Sequence, residues 1–317
     1  MKRKINKSLK ILFAGTTKFA QKHLKALIKS RHKISLVITK QNKFYKKNIY
    51  SSPVEKTSIK NSIPTISPKN IENKKIIKII KKYLPDIMIV VAYGKKIPKK
   101  IINMFPLKAI NIHPSLLPKW KGAAPIQRAI LNGDKKTGIS TILINNKFDS
   151  GDIINKIDCK ISKKDTFFSL SKKLEKIGIK SMFLSLINIF KKNKIKKQKQ
   201  EIKNTYAKKI DKLETRLIWK KSVNFLERSI RAFYPIPGNY FYFKKKRIKV
   251  FKSSISLKFK KYLFGEILKV SKNGVYIGAK NGCLIIKKIQ FPGKKIINSI
   301  EIYNGYKNFF NVGEVIK

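Results

Sequence analysis

The chain has 317 residues, of which 42% are hydrophobic and 29% are charged, and it carries a formal net charge of +59. This length favours two domains over one, and the hydrophobic content suits packed cores. No stretch approaches the roughly 18 consecutive apolar residues of a membrane span, so we expect a soluble, cytoplasmic protein without a membrane partner. Cys159 and Cys283 lie far apart in the sequence, which argues against a disulfide framework and fits a reducing compartment.

The positive charge by itself is a weak indication of function. Such an excess normally indicates a polyanionic partner such as a nucleic acid. However, lysine, isoleucine and asparagine are enriched throughout, including ordinary helix faces such as residues 75–82. Strong AT bias in the coding DNA would produce the same pattern, so the charge supports nucleic-acid binding only weakly.

The first elements predict the opening of a parallel α/β sheet. Residues 9–14 form a short apolar strand, and a turn at Gly15 leads into a helix over 18–29, which Thr16 or Thr17 can cap. A second strand over 34–39 completes the unit.

Nucleotide-binding motifs are missing from this opening unit. After Gly15 the next glycine is Gly94, so the GxGxxG fingerprint of NAD and FAD sites is absent. No GxxxxGK[ST] phosphate loop occurs anywhere in the sequence.

Residues 40–52 predict a polar, basic loop that contains Phe44, Tyr45 and Tyr50. One interpretation is a solvated surface loop. The other is an arm that touches RNA, because lysines bind phosphates while aromatic rings stack on unpaired bases.

The middle of the chain predicts two neighbouring strand ends that deliver polar residues to one edge. Helices are expected over 53–60 and 71–83 and a strand over 63–66, whereas the apolar run 86–92 predicts a central strand that ends in Tyr93-Gly94. Residues 108–112 form the next strand. Ligands of open α/β sheets bind at the carboxyl edge of their strands.

The last part of the chain changes from helix to strands. Residues 165–192 predict a long amphipathic helix, and the apolar-poor segment that follows predicts a linker over 193–212. Short strand-like runs then predict a small all-β domain, most simply a barrel, at 240–243, 247–251, 262–270, 274–278 and 284–289.

The chemistry is concentrated in residues 109–152. Asn111 and His113 are two positions apart, so on a strand their side chains share a face. An amide can donate to an oxyanion, and an imidazole can exchange a proton near neutral pH. Asp149 lies on a later loop, where Gly151 permits a tight turn that brings the carboxylate back to His113.

Other readings of these residues carry less weight. His113 could simply fill a loop, and His23 and His32, on or beside a lysine-rich helix, are expected at the surface. No GxSxG elbow surrounds Ser115, which disfavours serine hydrolase chemistry. No second His or Cys stands at ligand spacing, so we expect no metal.

Several segments resemble the methionyl-tRNA formyltransferases, a family of folate-dependent formyltransferases. Segments shared with other folate-dependent formyltransferases are FAGT at 13–16, VAYG at 91–94 followed by Ile97-Pro98, NIHPSLLP at 111–118 and FDSGD at 148–152. KWKGAAPIQRAI at 119–130 is narrower and resembles the tRNA enzymes. Segments that resemble the family's C-terminal domain are 231–238, 265–267 and 291–295.

The resemblance covers essentially the whole chain and implies a function. It implies a catalytic trio of Asn111, His113 and Asp149 that transfers a formyl group from 10-formyltetrahydrofolate to the methionine amine of initiator methionyl-tRNA. Six residues are expected to bind the folate: Ser115, Leu116, Leu117, Pro118, Tyr93 and Gly94.

The implied architecture has two domains of different fold class. A Rossmann-like α/β formyltransferase domain with a mainly parallel sheet would span 1–192. A linker over 193–212 would join it to an OB-like β-barrel over 213–317 that binds tRNA. A monomer is expected.

The sequence departs from the family at three places. The GTPxF turn reads GTTKF at 15–19, and Asn145 and Lys147 stand where an acid and a glycine are usual. The family loop that inserts at the tRNA acceptor end is replaced by residues 40–48 and lacks its arginine. Lys43, Lys46 or Lys47 could substitute for this charge, but without the two-pronged geometry of a guanidinium.

Two alternatives remain open on the sequence. One is a formyltransferase that acts on a small amine, such as a nucleotide sugar or a ribosylamine. The other is a basic RNA-binding relic that has lost catalysis. The second domain and residues 120–130 argue against the first, and the intact trio argues against the second.

Overall fold

The computed structural model describes residues 8–40, 43–45, 48–190, 200 and 205–316, and the chain divides into two compact units. Unit 1 comprises Met1–Pro125, Lys136–Lys160 and Ser171–Lys208, and unit 2 comprises Ile126–Lys135, Ile161–Leu170 and Lys209–Lys317. The boundaries predicted at 192 and 213 stay a prediction, because most of the expected linker lies outside the described residues.

Unit 1 is built on a mainly parallel sheet with helices. Its first elements are β1 (Lys10–Gly15), α1 (Lys18–Ile28), β2 (Lys33–Ile38), β3 (Lys43–Tyr45), β4 (Asn48–Tyr50), α2 (Pro53–Lys60), β5 (Thr65–Ile66) and α3 (Lys74–Lys82). The next are β6 (Ile87–Val91), α4 (Lys99–Ile102), β7 (Ala109–His113), β8 (Lys121–Gly122), α5 (Pro125–Asn132), β9 (Lys136–Leu143), β10 (Ile153–Lys160), α6 (Phe167–Phe190) and β11 (Tyr206–Ala207). Of these, α5 and the start of α6 fall in unit 2.

The main sheet has seven strands in the order β10-β9-β7-β6-β1-β2-β5. Strands β5, β2, β1, β6 and β7 are parallel, while β9 and β10 are antiparallel to their neighbours. All five residues of β6 are buried, as expected for a central strand that is covered on both faces. The predicted α/β sheet is confirmed.

The predicted helix over 18–29 is also confirmed, and its start is explained by Thr17. The Thr17 hydroxyl accepts a hydrogen bond from the backbone N–H of Ala20 at 3.3 Å, which satisfies one of the free donors at the helix start. The helix over 53–60 begins with a reciprocal cap between Ser52 and Glu55.

The prediction of a loop over 40–52 is wrong in one respect. Its backbone forms the two short antiparallel strands β3 and β4, which pair with each other. Aromatic and β-branched residues favour strands, and this segment contains Phe44, Tyr45, Ile49 and Tyr50. Lys46 and Lys47 lie outside the described residues, as does the side chain of Lys43.

Unit 2 holds an antiparallel sheet. Its further elements are a 3-10 turn (Leu213–Thr215), α7 (Val223–Phe233), β12 (Asn239–Phe243), β13 (Lys246–Ser256), β14 (Ile267–Ser271), β15 (Gly274–Ala279), β16 (Gly282–Gln290), β17 (Ile296–Asn298), α8 (Ser299–Tyr306) and a 3-10 turn (Lys307–Phe309). The strands pair in the order β12-β13-β16-β15-β14, with β17 beside β16. The predicted antiparallel sheet is confirmed, but the prediction of an all-β domain is wrong, because α7 and α8 pack against the sheet. Closure of the sheet into an OB-like barrel stays a prediction.

Both units have apolar cores of their own. Unit 2 packs Trp219 and Phe241 edge to face, with 5.7 Å between ring centroids, inside a cluster that includes Leu226 and Ile286.

Across the part of the chain that the structure describes, none of the helices has the length and apolar character needed to cross a membrane.

Candidate active site

The carboxyl end of β7 carries the candidate residues Asn111 and His113. β7 lies between β6 and β9 in the sheet, with Val90 opposite Asn111 and Ser140 opposite His113. His113 is 4% exposed and Asn111 is half-buried. The structure thus places both side chains at the sheet edge where ligands bind in open α/β folds.

A single carboxylate brings the predicted trio together. Asn111 Nδ2 donates a hydrogen bond to Asp149 Oδ1 at 3.1 Å, and His113 Nδ1 lies 3.5 Å from the same oxygen. The other oxygen, Oδ2, accepts a hydrogen bond from the backbone N–H of Gly122 at 2.9 Å. The three residues predicted from their spacing are therefore in contact.

The ring of His113 is held from both sides. Its Nε2 lies 2.9 Å from the carbonyl oxygen of Trp120, and its Nδ1 faces Asp149. Each ring nitrogen thus has an oxygen acceptor beside it, so a proton on either nitrogen has a partner. This arrangement fixes the plane of the imidazole.

The loop that carries Asp149 is tightly constrained. Asp149 itself has φ +49°, a left-handed conformation that is uncommon for a residue other than glycine. A Cβ atom added at Gly151 would lie 1.6 Å from the carbonyl oxygen of Leu143, so only glycine fits there. The tight turn expected at Gly151 is therefore present.

The segment predicted to bind folate forms a braced turn after His113. The hydroxyl of Ser140 donates to the carbonyl of Ser115 at 2.8 Å and accepts from the backbone N–H of Leu117 at 3.0 Å. Ser115 and Leu117 are buried, and Leu116 and Pro118 are partly exposed. Their part in folate binding stays a prediction.

Tyr93 and Gly94 follow β6 at the same sheet edge. Tyr93 is 1% exposed and packs in the core beside Val90 and Ile97. Burial raises the pKa of the Tyr93 hydroxyl to about 12. Gly94 has φ +72° and lies against Lys40. The predicted contact of this turn with folate is not tested by the geometry.

Four further residues support the site and were missed in the sequence. Gln200 hydrogen bonds to the loop that carries Asp149, Thr205 to Trp120, and Ser140 to the turn that follows His113. Lys121 is only 9% exposed, and burial lowers the pKa of its ammonium while Asp149 opposes this shift. None of the four has a sequence signal of its own, since Ser140 lies beside Thr141 on β9 and the others follow from tertiary contacts.

The predicted surface positions of the other histidines are partly wrong. His23 is fully buried on α1, where its Nδ1 lies 2.9 Å from the carbonyl of Phe19 and its ring packs close to Gly178. His32 is half-buried, and its Nδ1 accepts a hydrogen bond from the N–H of Leu9. The lysine-rich pattern around His23 hid the fact that it lies on the apolar face of α1.

Two further features of the surroundings concern ligands. A cavity of about 380 Å³ is lined by a set of lysines, one acid and several neutral residues: Lys69, Asn70, Ile71, Glu72, Lys95, Lys96, Pro98, Lys99 and Asn146. Such a lining suits an anionic group.

The described residues contain no group of three or more His, Cys, Asp or Glu side chains that could hold a metal ion.

Comparison with known proteins gives the family. A formyl transferase profile matches residues 9–186, and a profile for the formyl transferase C-terminal domain matches residues 209–307. This chain belongs to the formyltransferase family. The resemblance read from the motifs is therefore confirmed.

Relatives and a solved structure agree with this assignment. The methionyl-tRNA formyltransferase of Buchnera aphidicola subsp. Schizaphis graminum is 44% identical, over 98% of this chain and 100% of the relative. That of Coxiella burnetii is 38% identical, over 98% and 99%. HypX from Aquifex aeolicus, solved with tetrahydrofolic acid, shares the fold with a TM-score of 0.65 and 17% identity, over 93% of this chain and 47% of HypX.

Proposed function

We propose that this protein transfers the formyl group of 10-formyltetrahydrofolate to the α-amine of methionine esterified to initiator tRNA, for translation initiation. The observation that carries the proposal is the convergence of Asn111 and His113 on the carboxylate of Asp149. Full-length similarity to relatives named methionyl-tRNA formyltransferase supports the same acceptor.

Each member of the trio has a role that follows from its contacts. Asn111 Nδ2 carries two N–H groups, and only one is donated to Asp149, so the other can donate to the formyl oxygen. His113 would add a second donor where negative charge develops on that oxygen once its Nε2 turns from the carbonyl oxygen of Trp120 to the substrate. Asp149 fixes both side chains through its contacts with them.

The transfer needs no covalent bond to the enzyme. The neutral amine attacks the formyl carbon, a C–N bond forms, and the bond from that carbon to N10 of the folate breaks. The attacking amine releases one proton, and N10 receives one as tetrahydrofolate leaves. Asp149 and His113 are suited to pass this proton, directly or through water.

We propose that the two parts of the chain have different functions. Residues 1–192 would bind folate, through Ser115–Pro118 and the Tyr93-Gly94 turn, and carry out the reaction. Residues 213–317 would bind tRNA after a linker over 193–212, and Lys43, Lys46 and Lys47 would contact the acceptor end. An exposed basic and aromatic pair on unit 2 supports this: the Arg216 guanidinium lies 5.7 Å from the centre of the Tyr242 ring, which is 46% exposed.

We also propose that the protein is cytoplasmic, since initiator tRNA, the proposed acceptor, is used in translation. We propose further that it is a monomer. Size-exclusion chromatography with light scattering tests the monomer, alone and with initiator tRNA. A stable dimer that persists at assay concentrations would contradict it.

The decisive experiment is formyl transfer to methionyl initiator tRNA by the full chain and by Asn111→Ala, His113→Ala and Asp149→Ala. We expect each variant to lose kcat by about 100-fold or more while keeping its circular dichroism and melting temperature. Binding of tRNA by the wild type without any transfer would favour the RNA-binding relic. Faster transfer to a free small amine than to the tRNA would favour the small-amine enzyme.

A further inference from the structure

We call Gln200 and residues 205–207 the strap. The strap contacts the loop that carries Asp149 and the loop of residues 120–122. Gln200 Nε2 donates hydrogen bonds to the backbone carbonyls of Asp149 and Gly151, each at 2.9 Å. The strap is the described part of the segment between α6 and Lys209, where unit 2 resumes.

The second loop is held by the other end of the strap. The Thr205 hydroxyl accepts from the N–H of Trp120 at 2.9 Å, and the Thr205 carbonyl accepts from the N–H of Lys121 at 3.0 Å. β11 of the strap pairs with β8 in parallel, with Ala207 opposite Gly122. Trp120 and Gly122 are the residues whose backbone atoms contact His113 and Asp149.

One of the two hydrogen bonds from Gln200 is accepted by Asp149, whose backbone is in the left-handed region. Asp149 has φ +49°, and a side-chain amide bonded to carbonyls on both sides of Ser150 holds this loop in place. The Oε1 atom of Gln200 is buried and has no hydrogen-bond partner among the described residues. Burying an unpaired carbonyl oxygen costs stability, and the two hydrogen bonds donated by Nε2 offset that cost.

We propose that Gln200 is a positioning residue for the formyl transfer, acting through Asp149. Its two donated hydrogen bonds hold the backbone on either side of Ser150, so the Asp149 carboxylate stays within reach of both Asn111 and His113. Misplacing a reacting group by about 1 Å can cost on the order of 100-fold in rate. The inference rests on the proposed formyl transfer.

The test uses the full chain with Gln200→Leu, which removes both donors, and Gln200→Glu, which places a carboxylate against the two carbonyls. We expect kcat to fall by about 10- to 100-fold in both variants, with the KM for 10-formyltetrahydrofolate changed less than about 3-fold. Gln21→Leu is the matched control. It removes one amide hydrogen bond, to the Thr57 hydroxyl on α2, and should keep wild-type kinetics.

A double-variant cycle separates positioning from general support of the fold. In an Asp149→Asn background, Gln200→Leu should cost less than about 3-fold, because the group that it positions is already impaired. Equal losses in both backgrounds would overturn the proposal, and so would unchanged kcat in the single variants. A loss that is fully explained by unfolding at the assay temperature also rejects it. Absence of transfer by the wild type would instead reject the proposed function.

Discussion

At the scale of single residues, the site depends on contacts that fix polar groups before any substrate binds. Asp149 is the centre, because its two oxygens are shared among a side-chain amide, an imidazole and a backbone N–H. Spacing alone predicted that Asn111 and His113 share a face. It could not reveal that the Gly122 N–H completes the set, since backbone donors carry no sequence signature.

Ser140 gives a prediction about folate. Its hydroxyl bonds to Ser115 and Leu117 together, so Ser140→Ala leaves a buried carbonyl and a buried N–H without this partner. We expect the KM for 10-formyltetrahydrofolate to rise about 5- to 10-fold and kcat to change little. Steady-state kinetics with varied folate measures this. A normal folate KM, in a folded variant, would remove Ser115–Leu117 from the proposed folate site.

His23 predicts a loss of stability in acid. Burial lowers its pKa from 6.5 to about 4, although the hydrogen bond with Phe19 opposes this shift. The unfolded chain therefore binds the proton first, so the stabilisation is complete above pH 6.5 and is lost as the pH falls towards 4. By pH 4.5 the loss should be roughly 2–3 kcal/mol.

Urea unfolding of the wild type and of His23→Asn between pH 7.5 and 4.5 checks this value. The variant should be less stable at pH 7.5, but its stability should fall less steeply with acid. Parallel pH dependences would show that His23 does not titrate in this window.

At the scale of elements, the apolar strands and the longer helices of unit 1 could be predicted, whereas the helices α7 and α8 and the paired loops were missed. β6 and α2 were evident because one is continuously apolar and the other begins with a Ser-Pro start signal. The strands β3 and β4, by contrast, lie among lysines that resemble an ordinary surface loop. The contacts of the strap could not be predicted either, because they join residues that are far apart in sequence.

The loop between β9 and β10 gives the clearest prediction at this scale. A Cβ at Gly151 would overlap the carbonyl of Leu143, so Gly151→Ala must displace the loop that holds Asp149. We expect roughly 2–4 kcal/mol of destabilisation and a fall in kcat of about 100-fold or more. Gly305→Ala has open space around its Cβ and provides the control for stability. Wild-type kcat in Gly151→Ala would show that the loop tolerates the shift.

At the scale of the whole molecule, the charge of +59 bears on how a nucleic acid is bound. If lysine and arginine contacts with phosphates dominate tRNA binding, the KM for tRNA should rise steeply with salt, by about 10-fold or more between 50 and 200 mM KCl. The KM for the folate should change far less, because it carries few charges. Kinetics at several salt concentrations measure both, and a flat KM for tRNA would assign most of the charge to composition alone.

The strap also determines when the site can form. Asn111, His113 and Asp149 are synthesised early, but the strap, which hydrogen bonds to the loops around them, is completed only with Gln200 and Ala207. A nascent chain that ends at residue 192 has every proposed catalytic side chain and the contacts among them, but lacks the contacts of the strap with their loops. Complete support of the site during synthesis therefore waits until the chain has passed Ala207, near the end of the last segment of unit 1.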